Sequence, residues 1–341
     1  TGNSPVKPPR WRPDLNQSAS TNPGATHFVG AMPLMLRQHF GMQKSHPTKK
    51  RGEGMPGQMV LRIWDVEHGA CAMLAHHQNG VAGRLAMIDS GDTSDWKPSE
   101  HIKNVLGRTQ LDYLIITNAD QDHMSDLDGL WQAGIDVKTL SRNRHPPPDV
   151  LRAIKSVHGT TSDIERYLKI HESYTATVSQ PFNTYMGGIT KTTFSNTYPQ
   201  FQDTNNLSLA TFIKFDDFKI LFPGDLEEDG WTALLQREDF CEELKGVTIL
   251  VASHHGRENG YCEELFDYCH PRAVVMSDKA IVHSTQNMTG VYRGEVQVHH
   301  PDGIFVASSG LRRRVLTTRK DGWIEFTVGD NNFNVNTEYR G

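Results

Sequence analysis

The run Thr117-Asn118-Ala119-Asp120-Gln121-Asp122-His123 constrains this chain more than any other stretch. It follows an apolar, strand-like segment, Leu111-Asp112-Tyr113-Leu114-Ile115-Ile116, and crowds two carboxylates, two side-chain amides and an imidazole behind it. Charges held near a core need a partner or a metal, and carboxylate oxygens beside imidazole suit a divalent ion. A loop leaving the end of a buried strand is also where function concentrates. Whatever the fold, it must bring this loop to a site.

Three other apolar strands end in the same chemistry. Met87-Ile88-Asp89-Ser90-Gly91 closes on an acidic turn, Leu221-Phe222-Pro223-Gly224-Asp225 on Gly-Asp, and Leu250-Val251-Ala252-Ser253-His254-His255-Gly256 on a histidine pair. Taken singly, Gly-Asp is a common turn and a strand-end histidine is usually an ordinary satisfied residue. Four strand ends of one ligand chemistry in one chain argue for a shared site.

Composition bounds the rest. Of 341 residues, 37% are apolar, below the globular norm, so part of the length is expected to lie outside the core. No apolar stretch reaches the roughly 20 residues of a membrane span, and a secretory leader is not recognisable. The expectation is a soluble, cytoplasmic protein with reduced thiols, since Cys71, Cys241, Cys262 and Cys269 show no paired spacing. A net charge of −5 argues against a general nucleic-acid coat, though not against a nuclease with one basic groove.

Residues 1–57 read as a tail or linker, with only Phe28 to Phe40 apolar enough to dock and a basic run at Lys49-Lys50-Arg51. This segment is the candidate attachment point for a partner protein. Residues 58–330 read as the folded domain and 331–341 as a C-terminal tail. Strands are expected at 59–66, 69–75, 84–91, 111–116, 137–140, 207–215, 218–222, 247–252 and 273–276. Helices are expected near 101–106, 124–134, 150–157, 163–168 (capped by Ser162), 231–235 and 263–268. A closing hairpin is expected from 313–318 and 323–328 about Asp321-Gly322. Strands, then helices, repeated once, imply an α+β protein with two sheets and helices on their outer faces.

In this order the motifs resemble the metallo-β-lactamase fold superfamily, an αββα four-layer sandwich. Within it they are similar to the ComEC/Rec2-like branch, whose nuclease-like domain belongs to DNA-uptake channel proteins. The matching segments are Asp65-Val66-Glu67-His68-Gly69-Ala70, Ile88 to Gly91, Thr117 to His123, Asn205-Asn206-Leu207-Ser208-Leu209, Gly224-Asp225, His254-His255-Gly256 and the ending Arg314 to Ile324.

The resemblance implies a metal-dependent hydrolase of phosphodiesters, in the first place a nuclease, using one or two divalent ions, zinc or manganese. Asp122 and His123 would hold one ion with Asp225 as a bridging carboxylate. One of His254 and His255 would complete the set. Adjacent strand residues face opposite ways, which favours His255 as ligand and leaves His254 to meet the substrate or leaving group. Asn118 and Asp120 fall where the other ion would bind, with Asn206 or Ser208 nearby. Asp120, Asp122 and His254 are the candidate catalytic groups, Asp89 the support for a ligating imidazole, and Arg142 and Arg144 candidate substrate contacts. Arg312-Arg313-Arg314 with Arg319-Lys320 could grip phosphates or form a solvated face.

The chain also departs from the pattern. Asn118 replaces a histidine, and an amide oxygen is a weak, neutral ligand. Glu67, His68 and Ala70 alter the first motif, and Ser277-Asp278-Lys279 with Val282-His283-Ser284 stand where a further histidine element is expected. Three explanations therefore stay open: an engineered inactive form, a natural one-metal or manganese-type enzyme, or a binding module that has lost its chemistry. Within the enzyme reading the alternative substrate is a small phosphodiester or nucleotide.

Overall fold

Alternation along the strands dictates the layers. In the strand Gln58–Ile63, Met59, Leu61 and Ile63 are buried on one face while Val60 and Arg62 are half-exposed on the other. In Val81–Ile88 the second half is buried on both faces, Ala86 and Ile88 to one side, Leu85 and Met87 to the other. A strand covered on both sides needs a layer above and a layer below.

The computed structural model describes residues 57–339, apart from 158, 282 and 283, and these lie within one compact unit. The expectations for residues 1–56, including the docking segment, the basic run and the partner attachment, lie outside the described residues. Two mixed sheets face each other. The first runs in the order Asn332–Thr337, Ile324–Gly329, Gln58–Ile63, Ala72–Gln78, Val81–Ile88, Tyr113–Ile115, Leu140–Ser141. The second runs Val315–Thr317, Ala273–Met276, Ile249–Val251, Phe218–Phe222, Leu209–Phe215, Thr190–Ser195.

Three apolar cores separate four layers. Met59, Leu61, Ile88, Ile213, Ile220, Ile249 and Val275 fill the space between the sheets. Met87 and Leu114 pack outward against Leu127, Leu130 and Leu168 of the helices Leu127–Gln132 and Ser162–Ser173. On the other side, Phe212, Leu221 and Leu250 pack against Trp231, Phe240 and Val296 of the helices Glu228–Leu235, Glu238–Leu244 and Thr289–His299. The protein is thus the expected α+β, αββα sandwich.

Two strand pairs place the site. Val81–Ile88 runs parallel to Tyr113–Ile115, and Phe218–Phe222 parallel to Ile249–Val251. Their C-terminal ends release Asp89, Thr117, Asp225 and His254 at one rim, and the amide of Leu209 donates to the Thr117 carbonyl at 2.7 Å, tying the two sheets together there.

Several local expectations are corrected. The segments 313–318 and 323–328 do not form a hairpin: Val315–Thr317 pairs with Ala273–Met276 in the second sheet, and Ile324–Gly329 with Gln58–Ile63 in the first. The helical turn Thr318–Asp321 carries the chain between them. Residues 332–337 are an edge strand rather than part of a tail, because Val335 drops into the inter-sheet core. Thr161, not Ser162, caps the helix after it, its hydroxyl accepting from the Ile164 amide at 3.2 Å. The sequence pattern did not reveal Thr190–Ser195 or Thr289–His299, each with much of its surface exposed.

Candidate metal centre

His123 sits at the centre of the rim, almost wholly buried. Asp120 precedes a single helical turn, Gln121–His123, and the His123 amide donates to the Asp120 carbonyl at 3.1 Å. The backbone beneath is gripped by glycines. A side chain at Gly69 or Gly91 would bring Cβ to 2.6 or 2.7 Å from the Asp122 carbonyl oxygen, closer than any real contact. The motif glycines thus let the first strand-turn lie flush against the loop.

The His123 ring is fixed from both sides. Its Nδ1 is 2.9 Å from Asp89 Oδ2, and its Nε2 is 3.0 Å from Asp225 Oδ1. Asp89 is itself held in place, accepting from the Thr117 amide at 2.7 Å and the Thr117 hydroxyl at 2.5 Å. Asp225 is positioned through its amide, which donates to Ser208 Oγ at 3.0 Å. His255 Nδ1 lies 3.0 Å from the Ser277 carbonyl, which turns its Nε2 inward, 3.2 Å from Asp122 Oδ2 and 3.7 Å from Asp225 Oδ1.

One ligand atom from each of Asp122, His123, Asp225 and His255 lies within 4.8 Å of all the others. Two carboxylates and two imidazoles are a donor set for a divalent ion. His255 Nε2 is buried and, although Asp122 Oδ2 lies 3.2 Å away, makes no well-directed hydrogen bond, a cost that an ion at this point would remove. A cavity of about 30 Å³ is lined by three of the four groups, His123, Asp225 and His255, together with Ser277. These residues fit a metal.

The electrostatics agree. Burial pushes the Asp122 and Asp225 carboxyls up, but His255 and His123 beside the first, and His123 beside the second, hold both well below the usual range. Burial opposes charge on His123, yet Asp225 and Asp89 outweigh it and raise the imidazole well above its ordinary value. The ring therefore keeps a proton at the atom a metal would take.

His254 and His255 are not on the strand, so strand alternation is not what separates them. Both occupy the left-handed region, φ 49° and 56°, in the turn Ser253–Gly256. Such backbone costs on the order of 1–2 kcal/mol per non-glycine residue, and strain of this kind gathers at functional sites. The turn sends His255 into the cluster. His254 stands outside it, with Nδ1 3.5 Å from Glu227 Oε1 and Nε2 3.5 Å from Arg257. Burial lowers the His254 imidazole pKa.

The other half of the run is arranged differently from the expectation. Asp120 and Asn118 are not in the cluster. The Asp120 carboxylate is paired with Lys155 and accepts from the Thr204 hydroxyl at 2.7 Å and from Asn118 Nδ2 at 2.9 Å. Asn118 presents its amide nitrogen here, as a donor, and not its oxygen as a ligand. Asn206 holds the next loop, its Oδ1 accepting from the amides of Glu227 and Gly230 at 3.1 and 3.0 Å, and Ser208 serves Asp225 as above. Neither is among the clustered groups.

Arg142 and Arg144 do not face the cluster. They line a separate cavity of about 870 Å³ along the edge strand Leu140–Ser141, and Arg142 donates to the carbonyls of His171 and Tyr174. This space is the larger one, but ligand chemistry, not volume, marks the functional site. Arg313 and Arg319 are consumed by Asp321 and Asp278.

Sequence reasoning passed over three residues. His68, treated as a departure, has Nε2 3.4 Å from Asp122 Oδ2, and its ring lies tilted against that of His255, centroids 4.8 Å apart. Burial, and then His255, lower its pKa to about 4. Arg257 donates to His68 Nε2 at 3.0 Å; its place directly after His-His-Gly was the available signal. Lys155 had no signal, since it comes from a helix remote in sequence.

Comparison with known proteins finds similarity at the level of shape only. No family model matches the sequence, and no curated protein matches it. Among solved structures, the chain is similar to the metallo-β-lactamase fold protein YhfI from Bacillus subtilis (12% identity, 78% of this chain and 99% of that one, TM-score 0.38). It is also similar to a diphosphatase of the PhnP family (11% identity, 80% and 98%, TM-score 0.36). A third is CmlA, a diiron β-hydroxylase from Streptomyces venezuelae (14% identity, 70% and 51%, TM-score 0.40). Among the described residues no helix is long and apolar enough to cross a membrane.

Proposed function

We propose that this protein is a metal-dependent hydrolase that cleaves a phosphodiester, with nucleic acid as the preferred substrate class. The observation that carries the reading is the convergence of Asp122, His123, Asp225 and His255 within 4.8 Å. These four residues would hold a divalent ion, zinc or manganese by their mixture of nitrogen and oxygen donors. When bound, such an ion polarises a phosphoryl oxygen and lowers the pKa of water.

The remaining roles fall to the chain's own groups. Asp89 holds the His123 ring so that Nε2 faces the cluster, and Ser277 does the same for His255. His254 is assigned as the group that meets the substrate or leaving group, with Glu227 Oε1 3.5 Å from its Nδ1. Arg257, between His68 and His254, is the rim cation that meets a phosphate oxygen.

The test is a matrix of manganese, magnesium and zinc against single-stranded DNA, duplex DNA, RNA and a chromogenic phosphodiester. Cleavage of a polymer that weakens steeply with salt supports the reading, because phosphate contacts release counterions. Salt-insensitive turnover of the chromogenic ester alone indicates a small substrate. Ion binding without turnover of any of them indicates a binding module.

A further inference from the structure

Lys155 projects from the helix Pro148–Ser156 with a side chain only 9% exposed, and its ammonium is paired with Asp120 Oδ1. The same ammonium donates to Thr204 Oγ1 at 3.2 Å, and Thr204 in turn donates to Asp120 Oδ2. Asn118 Nδ2 completes the shell of Asp120 Oδ2 and also donates to Asn205 Oδ1 at 3.2 Å. Its neighbours orient the amide with Nδ2 toward Asp120 and leave Oδ1 buried without a hydrogen-bond partner. Its neighbours on this side are a carboxylate and the Asn205 oxygen, while Asn205 Nδ2 is committed to Glu227 at 3.0 Å; only an N–H donor satisfies both.

Both oxygens of Asp120 therefore face donors, one of them a fixed positive charge. A divalent ion at Asp120 would stand against an ammonium at contact distance, and the Asn118 amide turns its N–H toward that carboxylate, its unpartnered Oδ1 being the one neutral oxygen left over. This pocket does not fit a metal, whereas the cluster around His255 does.

We propose that the centre takes a single divalent ion and that the Lys155 ammonium is the built-in cation beside it, neutralising Asp120 where a second ion would otherwise bind. The inference rests on the proposed metal centre and adds its stoichiometry. It also makes Lys155 a positioning residue: it holds the Asp120 carboxylate in place and, through Asn118 and Asn205, ties that carboxylate to Glu227 beside His254.

The experiment counts ions on the full chain, saturated with manganese or zinc and desalted, by elemental mass spectrometry and by calorimetric titration. One ion per chain is expected. Asp120→Ala is expected to keep that ion, with affinity within about threefold, because Asp120 is not a ligand. The double variant Asn118→His/Lys155→Ala, which removes the ammonium and restores an imidazole, is expected to bind two. Two ions in the unaltered protein, loss of the ion in Asp120→Ala, or a folded double variant still binding one would each overturn the inference while leaving the metal centre standing. No ion at all in the unaltered protein would overturn the metal centre and this inference together. Circular dichroism establishes folding; should the double variant not fold, the wild-type count and Asp120→Ala decide.

Discussion

Asp89 Oδ2 lies 2.9 Å from His123 Nδ1, so a carboxylate that touches no other clustered side chain decides which nitrogen of the ring faces Asp225. Hydrogen bonds of this kind fix the tautomer and raise the basicity of a ligating imidazole. Asp89→Asn keeps the shape and removes the charge. Its expected effect is a loss of ion affinity of about 10–100-fold, read by calorimetry, with the fold intact. An affinity unchanged within error would show that His123 needs no such support.

The raised pKa of His123 gives a pH dependence with a definite sign. An ion at Nε2 must displace the proton shared with Asp225, so affinity should rise with pH, by up to about tenfold per unit while the ring remains protonated. Calorimetry in buffers of different ionisation enthalpy should register the released proton. In chelator, His123 contributes stability that is full below its ordinary value of 6.5 and is lost as pH rises through its raised value. Asp122 and Asp225 contribute stability that is full above their ordinary 3.8 and is lost as pH falls through their depressed values. The three contributions overlap between 3.8 and 6.5. The melting-temperature gap between wild type and Asp225→Asn in chelator should be widest there. A gap that widened steadily toward alkaline pH would contradict a cationic His123.

The strand ends that form the cluster were legible because their signal is local: an apolar run, then Asp-Ser-Gly, Gly-Asp or His-His-Gly. Asp89, Asp122, His123, Asp225 and the His254-His255 pair stood out as a set of four strand ends with one ligand chemistry, though none of them did so singly. What the sequence hides is pairing at a distance. Lys155 meets Asp120 across 35 positions, and nothing in the short helix Pro148–Ser156 marks its lysine as a partner of the loop. Val315–Thr317 and Ile324–Gly329 have the local pattern of a hairpin, yet each gains more by joining a different sheet. Arg142 was misplaced for the same reason: following the correct strand does not say which face its side chain takes.

Gly91 carries a prediction about the loop backbone. An added Cβ would sit 2.7 Å from the Asp122 carbonyl oxygen and 2.8 Å from that of Ala70, and backbone atoms on both sides cannot swing away as a flexible side chain could. Gly91→Ala should cost about 1–3 kcal/mol in denaturant unfolding. It should also weaken ion binding by displacing Asp122 and His123 together. Full stability in this variant would mean that the two strand-turns can separate freely, and that the glycine is not what sets their spacing.

The histidine pair offers the sharpest separation of holding an ion from doing chemistry. Both residues share the left-handed backbone of the Ser253–Gly256 turn, but only His255 turns Nε2 toward Asp122 and Asp225. His255→Ala removes a clustered donor, so its loss of ion affinity should exceed the roughly 10–100-fold expected at Asp89. His254→Ala leaves all four clustered groups in place. It should bind the ion within about threefold of wild type while turnover falls by about 10²–10⁴-fold, the range for losing a general acid or base. Ion content and cleavage rate, measured on the same preparations of both variants, check the assignment. Equal loss of ion from the two variants would mean that both imidazoles ligate, and His254 would then no longer be free for the leaving group.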